Sequence, residues 1–132
     1  MTNVLVLMAD ELSTWGLGCY QGTGLTPNID ALAERGVRFT SAYTPCPICV
    51  PARAAFATGK HVHEIGYWSS AEAYDGRVPG WGHLCQQAGV PVTSIGKLHY
   101  RLGSDPTGFD AQIEPIHIPD GIVRWGRTDV NA

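Results

Sequence analysis

The stretch from Cys46 to Lys60 fixes a helix and both of its ends. Pro51 suits the first turn, where its missing N–H costs nothing, and Gly59 suits the termination about two turns later. Cys49 therefore falls just before the helix, near its N-cap, and Arg53 lies in the first turn. A nucleophile at that place faces unpaired backbone N–H groups and the positive end of the helix dipole, which favour an anion such as sulfate or phosphate. The planar fork of Arg53 suits a nucleophile oxygen or an anionic substrate.

The rest of the chain alternates strand and helix signals. Asn3 to Met8 is a continuous apolar run, the pattern of a central parallel strand covered on both faces, and Asp10 and Glu11 follow at its C-terminal end. That edge of an open α/β sheet is where ligands bind, and paired carboxylates are hard oxygen donors suited to Ca2+, Mg2+ or Mn2+, although carboxylates after a strand also serve as helix caps. Thr26 to Gly36 predicts a helix, with Thr26 as N-cap, Pro27 at N1, Ile29, Leu32 and Ala33 on one face, and Gly36 as the stop. Val37 to Tyr43 alternates like a strand. Val78 to Gly89 predicts a short helix, Val90 to Gly96 another core strand, and Ile113 to Ile118 a further strand. If strand geometry persists past Gly96, the period of two puts Lys97 and His99 on one face, with Arg101 following.

Several rival readings carry less. Cys46 and Cys49 have the spacing of half a zinc site, but Cys19 and Cys85 are isolated and do not complete it. Thr58, Gly59 and Lys60 resemble the end of a phosphate-binding loop, yet the upstream glycine is missing. His61 and His63 would share a face of an extended segment, where surface or supporting roles outweigh metal ligation. Tyr67, Trp68, Tyr74 and Trp81 occupy a glycine-rich stretch without periodicity, and packing is their default role.

With 132 residues the chain is long enough for a core, and 44% hydrophobic with 16% charged residues is ordinary for a soluble protein. A net charge of −3 supplies no basic field, so neither nucleic acid nor a membrane surface is an expected partner. The start of the chain lacks the pattern of an export signal, which predicts a cytoplasmic protein with reduced cysteines.

The order Cys49-x-Pro51-x-Arg53, a small-residue helix and Thr58-Gly59-Lys60 resembles the signature of the type I sulfatases, within the alkaline phosphatase-like superfamily. The acidic pair at Asp10 and Glu11, the Thr26 to Ala33 segment and the Lys97-x-His99 pair match that family in the same order. The flavour nearest to this sequence is that of choline-sulfatases and phosphonate monoester hydrolases. Glu11 stands where Asp is usual, which makes Asp10 the firmer of the two ligands.

The resemblance implies an α/β fold, the N-terminal part of an α/β/α sandwich with a largely parallel sheet. Residues 1–132 would form a fragment of the catalytic domain, the remainder being absent. It implies that a formylglycine-generating enzyme converts Cys49 to formylglycine, whose hydrate attacks the sulfur of a small-molecule sulfate ester. Asp10, Glu11 and position 49 would contact a divalent metal, Ca2+ foremost and Mn2+ or Mg2+ otherwise. Arg53, Lys97 and His99 would act on the sulfuryl oxygens and the nucleophile. Further metal ligands of the family lie far downstream, so activity is expected of an intact enzyme only. A phosphonate monoester or phosphodiester hydrolase built from the same parts is the alternative, as is an inactive remnant. Uncovered sheet edges and apolar faces predict low stability or association into a homo-oligomer for the isolated chain.

Overall fold

The computed structural model describes residues 3–119 and 124–125. The chain divides into two compact units, residues 1–42 and 43–132.

In the first unit two 3-10 turns, Thr14–Gly16 and Gly18–Tyr20, precede helix α1, Pro27–Arg35. Its ends agree with the sequence, with Pro27 opening the helix and Gly36 closing it. Thr26 sits at the N-cap but caps no helical N–H. Its hydroxyl instead accepts from Gly18 N at 2.9 Å and donates to Asp30 Oδ1 at 3.0 Å, and that same oxygen accepts from Cys19 N at 2.7 Å. The helix start is thereby stitched to the 3-10 turn. Tyr20 donates to the Phe39 carbonyl at 2.7 Å, which ties the end of the unit back to the same turn.

Two expected strands of this region do not form. Asn3 to Met8 takes no regular structure, and Val4, Leu5 and Leu7 are 83%, 81% and 81% exposed. Val37 to Tyr43 is likewise irregular, with Val37 80% exposed. Apolar patterning marks surface that gains by burial, but a strand exists only when a neighbouring strand completes its hydrogen bonds. Among the described residues the sheet contains neither segment.

The second unit begins with helix α2, Cys49–Thr58, followed by the single-turn helix α3, Val62–Ile65. Gly59, at φ 66°, sends its N–H back to the Ala55 carbonyl and ends α2 in the left-handed conformation expected of a glycine stop. Helix α4, Trp81–Gln87, leads into strand β1, Thr93–Lys97, which pairs in parallel with β2, Ala111–His117. A short antiparallel strand β3, Arg124–Trp125, lies beside β2, so the order is β1-β2-β3. Helices preceding a parallel strand pair are the α/β arrangement expected from the sequence. The expected strands over 90–96 and 113–118 appear as β1 and β2, each shifted by a few residues.

The core of this unit is built by small residues meeting large ones. Ala54, Ala55 and Ala57 of α2 face Val62, Ile65 and three tyrosines, Tyr67, Tyr74 and Tyr100, each no more than 2% exposed. Alanine at these sites lets the rings approach the helix closely. The rings meet edge to face, with centroids 5.7 Å apart for Tyr67 and Tyr74 and 4.9 Å for Tyr74 and Tyr100. Trp81 continues the row against Phe109 at 5.0 Å. Packing is thus the main role of Tyr74 and Trp81, as the sequence suggested.

Candidate active site

Cys49 is the first residue of α2 rather than the residue before it, because Ile48, at φ −106° and ψ 132°, already holds the extended N-cap position. Ile48 has no side-chain oxygen to bond the first-turn N–H groups, and Pro51 contributes none. The start of α2 therefore keeps its partial positive charge close to the thiol. Cys49 is half-buried and packs beside Val50, Ala73 and Ile118. Arg53 follows four residues on, one turn along the same helix face.

Arg53 reaches across to the sheet. Its Nη1 donates to the main-chain carbonyl of Lys97 at 2.5 Å, across 44 residues of sequence. Lys97 is half-buried and ends β1. The pairing of β1 with β2 is irregular just before it. Ile95 opposes Ile113 but Lys97 opposes Ile116, so the extra residue lies in β2, with Glu114 at φ 46° and Gly96 opposite at φ 82°.

The strand geometry on which the sharing of a face by Lys97 and His99 depended does not persist. The strand ends at Lys97, and His99 takes the left-handed conformation at φ 54°, so alternation does not extend to it. His99 is 7% exposed, and its N–H donates to the Ile116 carbonyl at 2.8 Å. The next residues are pinned in turn: Arg101 N donates to Tyr74 O at 2.9 Å, and Ile118 N to Tyr100 O at 2.9 Å. Arg53, Lys97 and His99 are thus drawn together through backbone contacts at the C-terminal end of β1.

Tyr100, between His99 and Arg101, was not singled out by the sequence. Burial drives its phenol well above the ordinary tyrosine range, with the Tyr74 hydroxyl adding to the effect and the nearby Arg53 charge opposing it. Its signal in the sequence was only its place beside Lys97-x-His99. His61 and His63 lie at and just inside the start of α3, exposed, with rings stacked 5.6 Å apart. The segment is helical rather than extended because Glu64 accepts from His61 N at 2.8 Å, a capping interaction that the His61-x-x-Glu64 spacing allows.

Asp10 and Glu11 lie in the first unit, exposed in a turn, with Glu11 at φ 55°. Two adjacent carboxylates offer fewer oxygens than the six to eight that a hard cation such as Ca2+ takes. Among the described residues no group of three or more His, Cys, Asp and Glu side chains gathers where a metal ion could be held. All four cysteines are free thiols, and among the described residues no helix is long and apolar enough to cross a membrane.

The second unit therefore defines an α/β scaffold that presents Cys49 at the positive end of a helix, with the Arg53 guanidinium one turn on and bonded to the carbonyl of the strand-end Lys97. A family model described as Sulfatase matches residues 2–131. The chain belongs to the sulfatase family. It is 38% identical over 109 residues to an N-acetylglucosamine-6-O-sulfatase of Bacteroides thetaiotaomicron, a match covering 82% of this chain and 19% of that protein. It is 42% identical over 109 residues to human arylsulfatase D, covering 74% and 18%, and 33% identical over 113 residues to a choline-sulfatase of Rhizobium meliloti, covering 84% and 22%. A solved structure, BT4656 in complex with its substrate D-glucosamine-2-N,6-O-disulfate, matches with a TM-score of 0.68 at 36% identity, over 78% of this chain and 21% of that one. The chain spans about a fifth of the length of these curated relatives.

Proposed function

We propose that the enzyme to which this chain belongs hydrolyses small-molecule sulfate esters with a nucleophile generated at Cys49. The observation that carries the reading is Cys49 at the uncapped start of α2, one turn ahead of Arg53, in a chain of the sulfatase family. Conversion of the thiol to formylglycine would supply a hydrated aldehyde, whose hydroxyl is a nucleophile that does not depend on thiolate formation.

The residues of this chain then divide the work. The first-turn N–H groups of α2 and the Arg53 guanidinium offset the charge that develops on the sulfuryl oxygens as the nucleophile attacks sulfur. Lys97 adds a second cation, set in place by the Arg53 bond to its carbonyl. His99 holds the nucleophile or takes its proton. Asp10, with Glu11 beside it, would supply carboxylate oxygens to a divalent metal, whose charge would help offset that of the sulfuryl oxygens, and further ligands would have to come from the longer enzyme.

The test is peptide mass spectrometry of the protein from its own source, joined to kinetics on 4-nitrophenyl sulfate and an aryl phosphonate monoester. An aldehyde at position 49, faster turnover of the sulfate, and loss of turnover in Cys49→Ala are expected. An active Cys49→Ala enzyme overturns the proposal, and faster turnover of the phosphonate moves it to the phosphonate hydrolases.

A further inference from the structure

His99 stands at φ 54°, a conformation that a residue with a side chain keeps only where its surroundings over-determine it. Before the turn, the bond from His99 N to the Ile116 carbonyl supplies one constraint. Beyond it, Arg101 N is fixed on the Tyr74 carbonyl. What fixes the direction in which the chain leaves the turn is a side chain, that of Asp105.

Asp105 Oδ2 accepts from Arg101 Nε at 3.0 Å and from Leu102 N at 3.0 Å, and its Oδ1 accepts from Arg101 Nη2 at 2.5 Å. The main chain closes the same turn, with Asp105 N donating to the Leu102 carbonyl at 3.3 Å and Thr107 N to the Asp105 carbonyl at 2.8 Å. The Asp105 side chain is 6% exposed, against 46% for Arg101. A carboxylate so far removed from water needs charged or main-chain donors, and a two-pronged guanidinium pair fixes direction as well as distance.

The pair is anchored in turn. Arg101 Nη1 lies 3.9 Å from Asp75 Oδ2, and Asp75 Oδ1 accepts from the Tyr67 hydroxyl at 2.7 Å. Tyr67 shares its core with Ala54, Ala55 and Ala57 of α2, the helix that carries Cys49 and Arg53. The polar groups of this lattice meet one another, which suits a support for the site. We infer that Asp105 is a positioning residue, acting through Arg101 to hold the turn that places the His99 imidazole. The inference rests on the sulfate ester reading, in which His99 holds the nucleophile or takes its proton.

The test is a double-mutant cycle on the intact enzyme with 4-nitrophenyl sulfate. Asp105→Asn keeps the shape and the acceptor for Leu102 N but removes the charge that orients Arg101. It should lower kcat tenfold or more with KM unchanged, since a catalytic group displaced by about 1 Å loses on the order of a hundredfold. In a His99→Ala background the same substitution should change kcat less than about twofold, because the group it positions is gone. An equal loss in both backgrounds, a change confined to KM, or no change overturns the inference. Arg101→Gln breaks the pair from its exposed end and replaces Asp105→Asn if that variant does not fold, with the same outcomes required. If the wild type does not split the ester, or His99→Ala keeps full turnover, the mechanistic reading fails, and amide exchange decides the positioning separately. Faster exchange at His99 and Arg101 in Asp105→Asn retains it, and unchanged exchange overturns it.

Discussion

The Arg53 guanidinium and the Lys97 carbonyl are hydrogen-bonded at 2.5 Å, so the first turn of α2 and the end of β1 move as one piece. A charged donor on a partly buried carbonyl contributes about 1.5–3 kcal/mol, and leaving the carbonyl unmet costs a similar amount. Arg53→Met keeps the apolar stem and removes the fork. It should lower the urea midpoint by an amount corresponding to about 1.5–3 kcal/mol, and an unchanged midpoint would show that the bond adds nothing.

Two glycines separate close contact from backbone strain. A Cβ at Gly82 would stand 2.5 Å from the Thr107 carbonyl oxygen and 2.7 Å from the Phe109 ring, whereas one at Gly96 would meet nothing within 4 Å but would sit at φ 82°. Gly96→Ala should cost about 1–2 kcal/mol, the strain of a left-handed residue. Gly82→Ala should cost more, because main-chain carbonyl and ring must both give way. Thermal melts of the two variants order these costs, and a milder effect at Gly82 would contradict the packing described.

Stability should respond to pH at both ends of the range. Tyr67 is pushed up to about 12, first by burial and then by its bond to Asp75, and burial likewise pushes Tyr74 up to about 12. An unfolded tyrosine releases its proton near pH 10, so the folded state binds more protons between about 10 and 12 and its stability falls as pH rises through that window. At the other end burial lowers His117 below its usual value of 6.5, although the Tyr100 backbone and Asp105 oppose the shift. The unfolded chain then takes up the proton first, and stability falls as pH drops below about 6.5. Denaturant midpoints across pH should show both slopes. Tyr67→Phe should flatten the alkaline one and His117→Gln the acidic one.

The first unit leaves Val4, Leu5, Leu7 and Phe39 largely exposed, a surface of the kind that proteins rarely present to water without a partner. The 132-residue chain expressed alone should associate with rising concentration and bind a hydrophobic dye. Replacing Leu5 and Leu7 together with Asp should reduce both signals in sedimentation and fluorescence. Persistence of association in that variant would place the sticky surface elsewhere.

Features set by a few neighbouring residues were legible. Pro27 and Gly36 bracket α1, and Pro51 and Gly59 mark α2, because capping and glycine stops are settled within a turn of the chain. The family was legible from Cys49 to Lys97 for a related reason, since its motif residues stand at fixed short spacings. Asn3 to Met8 was read as a strand because its apolar pattern was visible while the absence of a pairing neighbour was not. The bulge in β2 opposite Gly96 and the left-handed turn at His99 depend on the register between β1 and β2, sixteen or so residues apart, and no local signal announces them. The Asp75, Arg77, Arg101 and Asp105 lattice is likewise assembled across distant segments from residues that alone read as ordinary surface charges.

The parallel pairing of β1 with β2 carries a consequence for how this unit assembles. Parallel neighbours need a crossover, commonly a helix, but here the return from Lys97 to Ala111 is irregular and contains His99, Tyr100, Arg101 and Asp105. The ladder cannot zip until that return has been laid down, so sheet and site belong to one foldon rather than to a rigid frame with a separable loop. Occupancy at the site should then be felt as slower amide exchange along the whole of β1 and β2, beyond the residues that meet the ligand.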